Sequence, residues 1–172
     1  AWQTLKQFAS DPKRLNGQLG MTSVLHTWGQ QLDQHVHLHC LIPAGAWCQE
    51  KQQWHPAKST YLFPVKALSK GYRGCMVSLL RKHYNQGELP KIADKTEVSK
   101  LLKEVMEKEW VVYTKACHGK PERVLDYLAR YTYKIAISES RLIDMNEGNV
   151  RFRWKDYRDY QHKTMQLTGI EF

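Results

Sequence analysis

The hydrophobic positions of this chain follow two spacings, one typical of strands and the other of helices. Alternation of apolar and polar residues over Met21–Trp28 and over His35–Ile42 predicts two strands, and the polar segment GQQLDQ between them predicts the turn of a hairpin. The turn-rich stretch Trp47–Phe63 predicts a further strand pair. The first half of the chain therefore contains at least one antiparallel hairpin.

Apolar residues three or four positions apart predict helices in several places. Trp2, Leu5 and Phe8 indicate a short first helix, and Pro121 suits the first position of a helix that runs to about Tyr133. Two further helices are indicated by apolar sets at Val65, Leu68, Tyr72, Cys75, Met76, Leu79 and Leu80, and at Val98, Leu101, Leu102, Val105 and Met106.

The second half of the chain also contains strand patterns. A strand is predicted at Trp110–Lys115, a hairpin at Arg141–Met145 and Val150–Lys155 around the turn NEGN, and a last strand at Thr164–Leu167. Because the strands are joined by tight turns, the pattern favours an antiparallel sheet with flanking helices in an α+β fold. The 172 residues fit a single domain, 1–172.

Charge narrows the functional classes. The chain has 26 Lys and Arg against 17 Asp and Glu, a net charge of +9, which favours a polyanionic partner such as nucleic acid. It contains no apolar run long enough for a membrane span, no phosphate-binding G-x-x-x-x-G-K-[ST] loop and no C-x-x-C pair. We therefore expect a cytoplasmic protein without a nucleotide cofactor or a cysteine-based zinc site, and, since it lacks an initiator Met, a piece of a longer chain.

The segment HVHLHCLI carries the first candidate chemistry. In a strand, His35, His37 and His39 project from one face, whereas the opposite face, which we expect to face the core, carries Val36, Leu38, Cys40 and Ile42. Clustered imidazoles repel one another when protonated, so holding them together favours a bound cation. The alternative is a solvent-facing sheet that happens to carry histidines.

A third ligand is expected from the preceding strand. A hairpin centred between Leu32 and Asp33 would place His26 opposite His39 on the same face. Gln30, on the same arm, is a competing oxygen ligand. The histidines thus predict a metal site on the face that carries His35, His37 and His39, with His26 as a further ligand and Gln30 as the alternative to His26.

The segment PERVLDYLARYTYK predicts a helix with Tyr127 and Tyr131 one turn apart on one face, bordered by Arg123, Arg130 and Lys134. The alternative is that both rings only pack. Together with a metal site and a basic chain, the tyrosine pair favours attack on a DNA phosphodiester to form a phosphotyrosine. Candidate DNA contacts are Arg123, Arg130, Lys134, Arg151, Arg153 and Trp154.

Four stretches, SVLHTWGQQLDQHVHLHCLIPAG, WVVYTK, VLDYLARYTYKIAIS and VRFRWKDY, resemble the HUH endonucleases, and most closely the two-tyrosine rolling-circle transposases of bacterial insertion sequences. The resemblance implies a central antiparallel sheet with the histidine pair, His37 and His39, on a central strand and the nucleophiles, Tyr127 and Tyr131, on an adjacent helix. It also implies Mg²⁺ or Mn²⁺, a third histidine at the place of His26, and single-stranded or hairpin-containing DNA as substrate. The chain departs from such relatives at Tyr133-Lys134, where they tend to carry His-Arg.

Three other functions compete with this interpretation. A plasmid replication initiator or a relaxase-type nickase shares the site chemistry. A non-catalytic single-stranded DNA-binding module would explain the charge but not the retained histidines and tyrosines. A three-histidine zinc hydrolase with a water nucleophile would leave the tyrosine helix unexplained.

Overall fold

The computed structural model describes residues 1–57, 62–89, 94–116, 121–132 and 136–172. These contain four helices, a short 3₁₀ turn (Glu139–Arg141) and seven strands, so the α+β class is confirmed. The helices are α1 (Trp2–Ser10), α2 (Val65–Asn85), α3 (Lys95–Glu107) and α4 (Pro121–Thr132). The strands are β1 (Thr22–Trp28), β2 (Gln34–Leu41), β3 (Gly45–Cys48), β4 (Gln53–Pro56), β5 (Leu142–Asn146), β6 (Asn149–Lys155) and β7 (His162–Thr168).

All the strand pairs among the described residues are antiparallel, and the strands form three small sheets. β1 pairs with β2, β3 pairs with β4, and β5, β6 and β7 form a three-stranded sheet in that order. Each hairpin predicted from the sequence is present. The histidine strand β2, however, has β1 as its only described neighbour, so it lies in a two-stranded sheet rather than at the centre of a larger one.

The strand predicted at Trp110–Lys115 was wrong: this segment forms no strand. Its first carbonyl oxygen, that of Trp110, accepts a hydrogen bond of 2.5 Å from the hydroxyl of Ser69 on α2. The indole of Trp110 donates to the carbonyl oxygen of Val105 at 3.2 Å. Trp110 is thus held by helical residues, and no described strand pairs with the segment to form a ladder.

The chain divides into two compact units, the first made of residues 1–21 and 42–118. Its main core brings α1, the following loop, β3 and the start of α2 together through a set of buried residues: Leu5, Ala9, Leu15, Leu19, Ala46, Phe63 and Leu68. A smaller cluster joins α2 to α3 through Val77, Val98 and Leu102. None of the helices in the described ranges is long and apolar enough to cross a membrane.

The second unit, residues 22–41 and 119–172, carries the predicted histidines and the tyrosine helix. Along β6, Val150 and Phe152 are buried and alternate with exposed arginines, as a half-buried strand requires. The β5–β6 turn has positive φ at both central residues, Glu147 (50°) and Gly148 (77°), which is the backbone of a tight hairpin turn.

Candidate metal centre and nucleic-acid interface

Three histidines meet on one face of the β1–β2 hairpin. One ligand nitrogen from each of His26, His37 and His39 lies within 4.8 Å of the others. The ring centroids of His37 and His39 are 4.8 Å apart, and that of His26 lies 5.4 Å and 4.9 Å from them. The shared face predicted from alternation is therefore present, and strand pairing brings the rings together.

The predicted register of this hairpin was wrong by two residues. His26 lies opposite His37, and His39 lies opposite Val24, whereas the sequence predicted His26 opposite His39. The turn lies earlier in the chain than predicted, because Trp28 lies opposite Gln34 and the N–H of Gly29 donates to the carbonyl oxygen of Asp33 at 2.9 Å. A β-bulge between His26 and Trp28 then shifts the pairing by one residue and brings His26 opposite His37. A two-residue difference keeps each side chain on its face, so the histidines still converge.

Hydrogen bonding, stacking and burial each act on one of the three rings. The Nδ1–H of His37 donates to the carbonyl oxygen of His35 at 2.9 Å, which leaves Nε2 of His37 with the lone pair. His26 is buried and stacks on Trp28, with ring centroids 5.1 Å apart. Burial, and then the neighbouring His37 and His26, lower the pKa of His39 from its ordinary value. A neutral imidazole is the form that binds a metal.

These residues fit a divalent metal ion. Two nitrogens about 2.1 Å from one ion lie at most about 4.2 Å apart, so small rotations of the rings close the site. Three protein ligands leave coordination positions open, as a catalytic site requires. Imidazole nitrogens suit transition metals, whereas Mg²⁺ is held mainly by oxygen, so the donor set fits Mn²⁺ better than Mg²⁺.

Gln30, the alternative third ligand, lies beyond the end of β1. It belongs to the turn between β1 and β2, and its backbone carbonyl oxygen accepts a hydrogen bond from the guanidinium of Arg141. His26, by contrast, lies within the strand beside the other two rings. This placement favours His26 over Gln30.

The opposite face of β2 differs from the prediction that it faces the core. Val36 is 63% exposed and Leu38 38% exposed, and Cys40 is only half-buried. Of the four predicted core residues, Ile42 is the one that packs against the main core cluster, because it lies beyond the last residue of β2 and within the first unit. Alternation located the face correctly, but not its burial.

The helix that carries the tyrosine pair is present as α4, and Tyr127 and Tyr131 lie within it, one turn apart. The side chains of Tyr127, Tyr131 and Arg130 are not among those described, and Tyr133 and Lys134 lie outside the described residues. The roles assigned to these residues stay predictions.

The side chains of the remaining predicted DNA contacts differ in exposure and in the partners they already have. Arg123 on α4 and Arg153 on β6 are exposed. Arg151, on the same face of β6 as Arg153, is held by Asp144, whose carboxylate oxygens lie 2.9 Å and 3.0 Å from its Nε. Trp154 is half-buried on the other face, with the ammonium of Lys163 5.7 Å from its ring centroid. Arg153 is therefore better placed than Arg151 to meet a phosphate.

A polar cleft beside β6, of about 220 Å³, was not predicted. The guanidinium of Arg141 spans it, donating to the carbonyl oxygens of Arg153, at 2.8 Å, and of Gln30. The cleft is lined by Gln30, Ser140, Arg141, Arg153, Trp154, Lys155 and His162. The sequence signal was available in the alternation of VRFRWK, which places Arg153 and Lys155 on one face, but the pairing of Lys155 with His162 required the structure.

Comparison with known proteins gives a consistent result. A family model described as "Putative transposase" (Y2_Tnp) matches residues 20–172. The chain is 40% identical over 177 residues to "Putative transposase y4qJ" of Sinorhizobium fredii, covering 99% of the chain and 44% of that protein. It is 26% identical over 168 residues to "Transposase for insertion sequence element IS801" of Pseudomonas savastanoi pv. phaseolicola, covering 93% of the chain and 40% of that protein. The chain thus spans less than half the length of these curated relatives, and no solved structure matches it.

Proposed function

The chain belongs to the Y2_Tnp family of transposases, and from this premise we propose that it is the catalytic domain of a rolling-circle transposase of a bacterial insertion sequence. Residues 1–172 form that single domain, which acts in the bacterial cytoplasm. It nicks and rejoins single-stranded or hairpin-containing DNA through a covalent 5′-phosphotyrosine. The observation that carries the proposal is the convergence of His26, His37 and His39 on one strand face, in a chain whose helix α4 contains two tyrosines one turn apart in sequence.

In this proposal the three histidines hold one divalent ion, Mn²⁺ or Mg²⁺. An ion held there would withdraw charge from a phosphoryl oxygen and so make the phosphorus more electrophilic. The hydrogen bond from His37 to the carbonyl oxygen of His35 fixes the ring and its tautomer. The stacking of His26 on Trp28 fixes the second ring. The strands thus prepare the ligand geometry before the substrate arrives.

The tyrosine hydroxyl supplies the nucleophile. The phenolic oxygen of Tyr127 or Tyr131 attacks the phosphorus, the bond from phosphorus to the 3′ oxygen breaks, and the proton lost by the phenol is balanced by the one gained on the 3′-hydroxyl. The 5′-phosphate remains esterified to tyrosine, which conserves the ester energy. A second 3′-hydroxyl reverses the step, so rejoining needs no nucleotide hydrolysis.

The positive charge of the chain provides the substrate affinity. The net charge of +9 favours a phosphate backbone, and Arg123 and Arg153 are exposed to meet one. Replication initiators and relaxases share this chemistry, but the family match and both curated relatives support transposition. A DNA-binding module without catalysis would need neither the ligand set nor the tyrosine pair.

The test is formation of a covalent adduct. Single-stranded DNA labelled on the 3′ side of the expected nick is incubated with the protein and Mn²⁺, and the products are separated on a denaturing gel. We expect a labelled band at the mass of the protein plus the DNA fragment, lost with a chelator and absent from the His37→Ala variant. Retained DNA binding by the His37→Ala variant shows that this variant is folded. Normal binding without any adduct, over oligonucleotides drawn from the ends of the relatives' insertion sequences, would contradict the proposal and favour a binding module.

A further inference from the structure

The turn between β6 and β7, residues 156–161, carries two exposed tyrosines that the proposed nicking chemistry does not use. Tyr157 is 62% exposed and Tyr160 is 70% exposed. Their ring centroids are 6.4 Å apart, and the ring planes are nearly perpendicular, at 85°. Rings exposed to this degree contribute little to the fold through burial. Packing therefore does not explain the presence of this aromatic pair.

The backbone of the turn does not explain it either. Tyr160 has a φ of 60°, in the left-handed region where glycine or asparagine is favoured and a bulky residue is strained. Tyrosine at this position is thus unfavourable for the turn, and its ring gains little burial in return. Strained residues of this kind occur preferentially at binding and catalytic sites.

The turn is held in place by a buried carboxylate. Asp156 accepts hydrogen bonds from the backbone N–H of Arg158 at 3.0 Å and from the ammonium of Lys163 at 2.7 Å, and its own N–H donates to the carbonyl oxygen of Gln161 at 2.9 Å. The side chains of Arg158 and Lys163 hold the pKa of Asp156 well below its usual range. The rings are therefore mounted on an ordered turn, which lowers the entropy lost when a ligand binds.

Lys155 joins the two rings to the basic cleft. Its ammonium lies 5.7 Å from the ring centroid of Tyr157 and 5.6 Å from that of Tyr160. Lys155 also lines the cleft with Arg153 and Arg141, and Arg141 reaches the turn that follows the His26 strand. Cations next to exposed aromatic rings are the combination that binds single-stranded nucleic acid, with phosphates on the cations and bases on the rings.

We propose that Tyr157 and Tyr160 form a stacking platform for bases of the single-stranded DNA that flanks the nick, with Lys155 contacting the phosphate between them. This rests on the proposed function only in that the substrate is single-stranded DNA. Because the rings meet edge to face, no base is sandwiched, and each ring stacks one base on its open side. Stacking of this kind accepts any base, so the platform adds affinity and positions the strand without reading sequence.

The test is binding of a fluorescein-labelled single strand, measured by fluorescence anisotropy, with Tyr157→Leu and Tyr160→Leu. Each change keeps an apolar side chain but removes the ring, and we expect each to weaken binding about 5-fold or more, the value of one lost stacking contact. The matched controls Tyr157→Phe and Tyr160→Phe keep the ring and are expected to bind like the unmodified protein.

Folding is tested by Tyr160→Asn, because asparagine suits the positive φ of this position. This variant is expected to keep or raise the melting temperature while it loses DNA affinity. Unchanged affinity in both Leu variants overturns the platform, as does equal affinity for the single strand and a blunt duplex, or tighter binding of an RNA strand of the same sequence.

Adduct formation separates this inference from the nicking proposal. If the adduct forms but the Leu variants bind normally, the platform is refuted and nicking stands. If single-strand binding requires the two tyrosines but no adduct forms with Mn²⁺, nicking is refuted and the platform stands.

Discussion

His26 on β1 lies directly opposite His37 on β2, and their ring centroids are 5.4 Å apart. His39, two residues further along β2, brings its ring within 4.9 Å of His26 and 4.8 Å of His37. The ligand set thus depends on the pairing of one hairpin and on no loop. Any change that shifts this pairing by one residue would turn a histidine away from the others.

The first prediction concerns His37, whose ring is within 5.4 Å of both other rings. His37→Ala should weaken Mn²⁺ binding by more than about 100-fold, since loss even of a residue that only supports a ligand costs about 10–100-fold. Adduct formation should be lost with it, while affinity for single-stranded DNA in chelator stays within about 2-fold. Calorimetric titration with Mn²⁺ and the adduct assay measure the two effects.

The matched control for His37 is His35→Ala. His35 is exposed on the same strand, with its ring centroid 5.0 Å from that of His37, but its hydrogen bond with His37 is made by its backbone carbonyl oxygen, which alanine retains. This variant should therefore bind the metal normally. Loss of metal binding in His35→Ala with retention in His37→Ala would show that the ligand set is wrong.

The second prediction concerns pH. Because the pKa of His39 in the folded protein is lowered from 6.5, the unfolded chain takes up the proton first as pH falls. The contribution of neutral His39 to the free energy of unfolding is thus complete above pH 6.5. It is lost as the pH falls from 6.5 through the lower pKa that His39 has in the folded protein. Urea unfolding of the metal-free protein should show this loss between about pH 7.5 and pH 5.5.

The control for the pH prediction is His39→Gln, which cannot titrate and should lose less stability over the same range. Protons and metal compete for the same nitrogens, so Mn²⁺ affinity should also fall on acidification. If the unmodified metal-free protein loses no more stability on acidification than His39→Gln does, the assignment is contradicted.

Local patterns predicted the elements of this fold well. Alternation gave β1, β2, β5, β6 and β7, and the spacing of apolar residues gave all four described helices. These elements depend on residues that are close together in the sequence, and they can therefore be predicted from the sequence alone. The segment Trp110–Lys115 was misjudged because a strand also needs a partner, and that depends on distant residues.

The candidate site was predicted in part for the same reason. Which face carries the histidines follows from a period of two, but the opposition of His26 to His37 depends on a bulge that no local pattern indicates. The ion pair between Arg151 and Asp144 depends on the β5–β6 register. The turn between β6 and β7, with Tyr157 and Tyr160, lacks a periodic pattern. It was identified from the positive φ of Tyr160 and the exposure of both rings.

The third prediction follows from two arginines on one face of β6. Arg151 is held by Asp144, whereas Arg153 is exposed beside the cleft. Arg153→Ala should therefore weaken single-strand binding more than Arg151→Ala and reduce the slope of log affinity against log salt by about 0.7, the value for one lost contact to a single strand. Anisotropy titrations over a range of salt concentrations measure both slopes. Equal effects of the two changes would show that DNA displaces Asp144 from Arg151.

The fourth prediction concerns the two tyrosines of α4. Tyr→Phe keeps the ring and removes only the attacking oxygen, so a packing tyrosine should tolerate the change, whereas a nucleophile should not. A tyrosine phenol has a pKa near 10 and is a poor nucleophile at neutral pH, so the proposed mechanism assigns its activation to the metal and to cations of the same helix such as Arg123.

We expect the double change Tyr127→Phe with Tyr131→Phe to abolish the covalent adduct while DNA affinity and melting temperature stay unchanged. Each single variant should still nick, because the helix contains the other tyrosine one turn away. Neither single variant should complete strand transfer, because rolling-circle exchange breaks and rejoins two junctions, and one tyrosine must hold the first 5′-phosphate while the other attacks the second.

The readout is a pair of oligonucleotides of different lengths, scored for adduct and for joined product on one denaturing gel. An undiminished adduct in the double variant would remove both residues from the chemistry and make Tyr133→Phe the next variant to test, whereas joined product from either single variant would show that one tyrosine acts twice.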